Sequence, residues 1–266
     1  MRVATFNLHA GVDGWGRPTG ALEHALTLKA DVLICPETWR GDRGSDLYQE
    51  LATGLGMEGI FVALATGERV STGTGGRSWQ PFMAHLKGER GLYFSEYLAL
   101  NKSQSLEYAT LGDVQRGQWG LSLLTSLPIE EMRVEQLGRL RRERVSRALI
   151  VARLNDGNHS FYVLAVHGAH ITHGSRQLYR RINKSALDLD QTLPIIIAGD
   201  FNCWRPLLRF FLPGWRSLVR ARTWPARHPH SQIDHILGRG PWRILGGGSS
   251  EGGSDHRALV ADVTLD

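Results

Sequence analysis

Sulfur, a leader and a long apolar run are the three things this chain has least of. Only two cysteines, Cys35 and Cys203, occur in 266 residues. That is too few for a disulfide framework, and no CxxC or Cys/His cluster offers a zinc site. Two reduced, buried thiols are the expectation. No stretch approaches the roughly 18 apolar residues of a membrane span. The opening MRVATFNLHAG has neither the apolar run nor the cleavage site of a secretory leader, so a cytoplasmic location is the expectation; a monomer is expected separately. Charge of one sign is also scarce: the net charge is only +5. So mild an excess favours anionic partners, nucleic acid or phosphorylated small molecules, without deciding between them. Internal repeats are absent, and no linker is long enough to divide the chain, which reads as one domain over 1–266.

What remains alternates between strand and helix patterns. RVATFN at 2–7, DVLICPE at 31–37 and EGIFVALA at 58–65 read as strands. GALEHALTLK at 20–29 and SDLYQELATGLG at 45–56 have helical spacing, with Thr19 and Ser45 as caps. A polar, glycine-rich stretch from 66 to 91 reads as a long surface loop that could wall a cleft through Arg69, Arg77, Trp79 and Lys87. LYFSEYLALN, SLEYATL, GLSLLTSLPI, RALIVARL and FYVLAVH follow as strands, then a helix at 175–191. PIIIAGDFN at 194–202 is the clearest buried strand. QIDHIL, a glycine-rich loop and the strand ALVADVTL close the chain. Many strands with helices at the start, middle and end predict an α/β four-layer sandwich: two mixed, mainly antiparallel sheets flanked by helices.

The chemistry lies where apolar runs end. FN at 6–7, PE at 36–37, VH at 166–167, GDFN at 199–202 and SDH at 254–256 each pass directly into a polar group, and Asp234 falls inside QIDH. One such residue is ordinarily a turn or a helix cap. Six together supply carboxylates, amides and imidazoles that a shared cation would satisfy. Oxygen donors without thiolates suit Mg²⁺ or Mn²⁺, which typically combine a few carboxylates with a substrate phosphate. That is the layout of phosphate-ester hydrolysis.

TFN, PE, GDFN, IDH and SDH, in this order from residue 2 to about 263, resemble the endonuclease/exonuclease/phosphatase superfamily. GQWGLSLLTSLPI and the Arg176-Gln177 helix are similar to the family as well. The resemblance implies a Mg²⁺- or Mn²⁺-dependent phosphodiesterase, with nucleic acid the first substrate and an inositol phosphate, phospholipid head group or other small phosphoester the alternative. It implies Glu37 as metal ligand, with Asn7 and Asp255 as direct or water-mediated ligands. His256 pairs with Asp234, and the pair activates water or stabilises the phosphorane. Asp200 orients or deprotonates water, or protonates the leaving group. Asn202 and His167 donate to phosphate oxygens. Two positions depart from the pattern. Gly168 replaces the usual leucine after the histidine, which brings His170 and His173 into contention as substrate contacts. Leu127 stands where relatives often carry arginine.

Further candidates come from charge and aromaticity. Arg176 and Arg180 share a helix face, and Arg176 is nearer the His167 strand end. RLRRER at 139–144 carries four arginines and reads either as a phosphate contact or as a solvated turn. Trp79, Trp204, Trp215 and Trp224 are candidate stacking surfaces, and Trp224, in TWP just before the Asp234 strand, is the best placed at the mouth of the site.

Overall fold

The computed structural model describes residues 1–12, 18–70, 86–87, 93–94, 114–140, 143, 145–170 and 175–265. Two sheets face one another. The first has eight strands in the order β13-β14-β1-β2-β6-β3-β4-β5, the second six in the order β11-β12-β10-β9-β8-β7. The strands of the first are β1 (Arg2–Thr5), β2 (Val32–Gly41), β3 (Glu58–Val70), β4 (Leu86–Lys87), β5 (Tyr93–Phe94), β6 (Val114–Thr125), β13 (Trp242–Glu251) and β14 (Arg257–Leu265). The second holds β7 (Ile129–Gly138), β8 (Arg147–Asn155), β9 (Ser160–His167), β10 (Ile195–Asp200), β11 (Arg216–Ser217) and β12 (Asp234–Arg239). Among the described residues only β1–β2 and β9–β10 pair in parallel. Helices α1 (Ala21–Thr27) and α2 (Leu47–Leu55) lie against the first sheet; α3 (Ser175–Leu187) and α4 (Arg205–Phe211) cover the second. This is the four-layer sandwich expected.

Burial explains the layering. Val3, Ile34 and Leu123 of one sheet and Ile150, Val163 and Ile196 of the other share one apolar cluster. Leu149, Leu164 and Ile197, of opposite parity on the second sheet, pack instead under Leu178, Tyr179 and Ile182 of α3. Strands buried on both faces need apolar residues at every position, which is why IIIA at 195–198 is an unbroken run. Where α2 begins, Asp46 rather than Ser45 caps it: its carboxylate accepts from Gln49 N at 3.0 Å, and Gly56, with φ of 62°, ends it. Helix α3 stops at Leu187, short of 191, where the Gln191 amide takes over the carbonyls of Ala186 and Leu189 at 2.8 Å each.

Two expectations are corrected here. The glycine-rich stretch before SDH is largely strand, since β13 runs to Glu251 in register with β14. Ladder bonds need only backbone N–H and C=O, so the partner strand recruits a segment whose side chains give no β signal. The 66–91 segment opens as the end of β3, paired to β6 as far as Val70↔Val114. Lys87 lies in the short β4; of the strand expected at 92–101 only Tyr93–Phe94 is described, as β5, and Arg77, Trp79 and the strand expected at 105–111 lie outside the described residues. Two elements were not anticipated. Strand β7 is a charge-rich edge, a composition that blunts edge pairing and hides the alternation, and α4 has only seven residues. No helix among the described residues is long and apolar enough to cross a membrane.

Candidate active site

Four strand ends and one loop converge between the sheets. Asn7 follows β1 and is fully buried; its amide nitrogen donates to Glu37 Oε1 and to Asp200 Oδ2, 3.1 Å each. Its oxygen accepts from His9 N at 3.0 Å. Glu37 is the extra residue of a β-bulge: the β2–β6 register shifts between Pro36 and Thr38, and Glu37 has φ of 57°. A bulge re-aims a side chain out of strand alternation, and here it turns the carboxylate toward Asn7. At the end of β10, Asp200 Oδ1 accepts from Asn202 N at 2.7 Å in a tight turn that holds Asn202 at φ of 48°.

The imidazoles close the cluster. His167 Nε2 stands 3.6 Å from Glu37 Oε1 and 3.9 Å from Asp200 Oδ2. His256 Nε2 stands 3.9 Å from the same Asp200 oxygen, and its Nδ1 lies 2.8 Å from Asp234 Oδ2. The Asp234 backbone is fixed in turn by the buried hydroxyl of Thr223, which accepts from the Asp234 and Ile233 amides at 3.3 Å each. Two glycines permit these approaches. A Cβ on Gly199 would meet the Val166 carbonyl oxygen at 1.9 Å, and one on Gly168 would meet the Phe201 carbonyl oxygen at 2.4 Å. The departure at Gly168 therefore has a steric cause: no side chain fits between the end of β9 and the Asp200 turn. Gly168 N donates to the Asp200 carbonyl at 2.6 Å and its own carbonyl accepts from the Asn202 amide at 3.2 Å.

Electrostatics differ from group to group. Burial, reinforced by the nearby Asp234 and Glu37 charges, pushes the Asp200 carboxyl up to about 7, against the opposing pull of His256 and the Asn202 N–H. Burial alone would make His256 a poorer base, but the carboxylates of Asp234 and Asp200 outweigh it and raise it well above its ordinary value. His167 moves the other way: burial first, then the charges of Arg147 and His256, hold it well below and keep it neutral. Its ring packs 5.0 Å from Trp119, over which Arg147 lies at 5.9 Å, and Arg147 is itself bonded to Glu143 at 2.8 Å.

Asp255 is set at the exposed rim, where the Ser254 hydroxyl bonds it at 3.3 Å. Desolvation works against its charge, but His9, His256 and that hydroxyl prevail and lower its pKa. His9 was not singled out in the sequence. Its Nδ1 lies 2.6 Å from the Val12 carbonyl oxygen, and the charges of Asp255 and Glu37 overcome its burial to raise its pKa, so it connects the two acids. Its position two residues after Asn7 was the available signal. His9, Ala10, Glu37 and Asn202 all have positive φ, with Lys29 the other non-glycine residue so placed among the described residues, so most of these left-handed conformations gather at this site, as strained backbone commonly does. Trp224 is partly exposed and meets His230 edge-on at 5.5 Å. Its loop is tied to the SDH loop by Ala226 N to Asp255 O at 2.8 Å and Arg257 N to Thr223 O at 2.7 Å. His170 and Arg176 are exposed, His170 beyond β9 and Arg176 on the first turn of α3. His173 and most of the 139–144 arginine run lie outside the described residues.

Donor atoms of Glu37, His167 and Asp200 lie within 4.8 Å of one another, as do those of Asp200, Asp234 and His256. Asp234 Oδ1 is buried without a partner. Such a concentration of carboxylate, with one carboxyl driven toward neutrality, fits a divalent cation with a preference for oxygen donors. The model of the Endonuclease/Exonuclease/phosphatase family matches residues 4–256.

The chain belongs to that family.

Its members are metal-dependent phosphoester hydrolases. No curated protein matches its sequence. Among solved structures it is similar to an endonuclease/exonuclease/phosphatase family protein from Leptotrichia buccalis, at 13% identity and TM-score 0.68, with both chains fully covered. A mannosyl-6-phosphatase from Bacteroides thetaiotaomicron is similar at 14% identity and TM-score 0.62, again over all of both chains. The human Nocturnin catalytic domain is similar at 17% identity and TM-score 0.59, covering all of this chain and 93% of that one.

Proposed function

We propose that this family member is a Mg²⁺- or Mn²⁺-dependent phosphodiesterase acting on nucleic acid. The observation that carries the reading is Asp200, pushed to about 7 between two imidazoles of opposite charge state and next to Glu37. A carboxyl poised near neutrality can take a proton from an attacking water or return one to a leaving oxygen. Asn202 and Asn7 keep it aimed, each donating to its Oδ2, at 3.2 and 3.1 Å. His256, held cationic by Asp234, is a donor rather than a base and stabilises negative charge growing on the phosphoryl oxygens. His167 is neutral and its Nδ1 has no partner, which leaves the Nε2–H to face the phosphate. Asn202 would act as a second neutral donor by turning one of its two amide hydrogens, now on the Gly168 carbonyl and Asp200 Oδ2, toward the phosphate.

Glu37 would hold the cation, with Asn7 and Asp255 supporting it directly or through water. When bound, the cation supplies Lewis-acid neutralisation of the phosphoryl group. The excess of arginine near the site favours nucleic acid over a small phosphoester. A panel of single-stranded oligonucleotide, plasmid, inositol phosphates and sphingomyelin, each with Mg²⁺ and with Mn²⁺, tests the substrate. Cleavage of nucleic acid is expected. Turnover of a lipid or inositol phosphate with no nucleic acid cut would reject the reading. In parallel, Mn²⁺ binding followed by electron paramagnetic resonance should weaken at least about tenfold in Glu37→Gln.

A further inference from the structure

Between Asp200 and Asp234 the chain has no acidic residue, yet it carries six arginines and three tryptophans. The fold gathers these charges rather than scattering them. Two adjoining recesses, of about 530 and 360 Å³, flank α4. Arg205 and Arg220 line both. Trp204 and Arg222 line the one nearer the site, and Arg209 and Arg216 the one beyond it. The lining of the nearer recess comes from three segments that lead directly into the site: Trp204 is two residues from Asn202, Gln232 two from Asp234, and Arg222 adjoins Thr223.

No carboxylate lines either recess, and no ion pair reaches Arg205, Arg209, Arg220 or Arg222 among the described residues. Arg205 Nη1 is buried without a partner. The other charges Arg205 feels are Arg220 and Arg209, which add to its desolvation in disfavouring its cation. Like charges held together without counterions are unfavourable, and an unbonded buried guanidinium nitrogen adds desolvation cost. A polyanion would relieve both. Trp204, with 53% of its surface exposed beside these arginines, offers an aromatic face to an unpaired base.

We propose that the two recesses form a track for the sugar–phosphate backbone of single-stranded nucleic acid next to the scissile phosphate, with Arg205 and Arg220 at its centre and Trp204 stacking a base. The occupant follows from shape as well as charge. The cations line concavities, which admit a strand; an anionic lipid surface would ask for them on a convex face. The track rests on the nucleic-acid reading of the active site and extends it to the segment of substrate bound outside the reacting centre.

The experiment measures binding of a fluorescent 20-nucleotide single strand in EDTA, so that no cleavage occurs, across a salt series. Wild-type affinity should fall steeply with salt. In Arg220→Gln/Arg222→Gln, where both side chains are exposed and folding is undisturbed, the log–log slope should flatten by about 1.4, or ~0.7 per lost phosphate contact. Trp204→Ala should weaken binding about fivefold or more with no change of slope. Lys184→Gln, an exposed charge on α3, should leave the slope as it is. An unchanged slope in the arginine variant overturns the track, as does capture of phosphatidylglycerol vesicles through these arginines with no oligonucleotide bound. If oligonucleotides are cut with the slope unchanged, the track fails while the nuclease reading stands. If they bind through these arginines and are never cut, the track stands and the nuclease reading fails.

Discussion

Replacing Asp234 by asparagine separates charge from shape at the centre of the site. Asp234 Oδ2 accepts from His256 Nδ1 at 2.8 Å, and Oδ1 is buried without a partner. An asparagine oxygen can occupy the first position and its amide the second, so the hydrogen bond and the packing survive and only the negative charge is lost. With Asp234 fully buried, little solvent is present to compensate. The His256 cation then loses its strongest support against burial, and its pKa must fall. Because the cationic form is the one proposed to stabilise phosphoryl charge, kcat should drop by about 10²–10³-fold, equivalent to about 2.7–4 kcal/mol of transition-state stabilisation. KM should change little, since substrate binding depends on other groups. The alkaline limb of the kcat profile should move to lower pH, because His256 now sheds its proton earlier. Steady-state kinetics on the best phosphodiester of the panel, with ¹⁵N resonances of the His256 ring as an independent titration, measures both. Wild-type kcat in Asp234→Asn, or an unmoved His256 titration, would refute the coupling between this pair and the chemistry.

Two other outcomes follow from the geometry. His235 is fully buried and its Nε2 bonds the Cys203 carbonyl at 2.9 Å; burial lowers its pKa to about 4, with Arg205 adding to the shift and the Cys203 carbonyl and Asp234 opposing it. In the unfolded chain it takes up a proton near pH 6.5, so stability is complete above that value and is lost as pH falls toward 4, by up to about 3 kcal/mol. Urea midpoints from pH 7 to 4 should show this slope, and His235→Gln should flatten it; an equal slope in both proteins would refute the assignment. Gly168→Ala places a Cβ 2.4 Å from the Phe201 carbonyl oxygen, which also accepts the Tyr179 hydroxyl. The turn carrying Asp200 and Asn202 must shift, costing about 1–3 kcal/mol in urea unfolding together with a loss of kcat, and a variant as stable and active as wild type would show that the contact is easily relaxed.

The legible part of this site was its residue types, and the illegible part its backbone. Asp200, Asn202, His167 and Asn7 stood out because each interrupts an apolar run at the end of a strand buried on both faces. A polar group there has a reason the sequence exposes: burial without a partner is costly, so partners must exist. Glu37 was found by the same logic, but nothing in ICPETW indicates that the strand continues to Gly41 past a bulge, and the bulge is what turns the carboxylate inward. His9 escaped notice because its placement depends on a left-handed turn at His9 and Ala10, residue types that do not advertise positive φ as glycine does. Strand β13 was hidden for the opposite reason. Its glycines have no side chains to show a period, yet β14 pairs with them residue by residue from Gly246 to Glu251. The fold and the gathering of the candidate residues were therefore readable where side chains carry the energy. Where a ladder or a strained turn carries it, the decisive groups are the N–H and C=O that every residue shares, and only the assembled sheets reveal which of them are used.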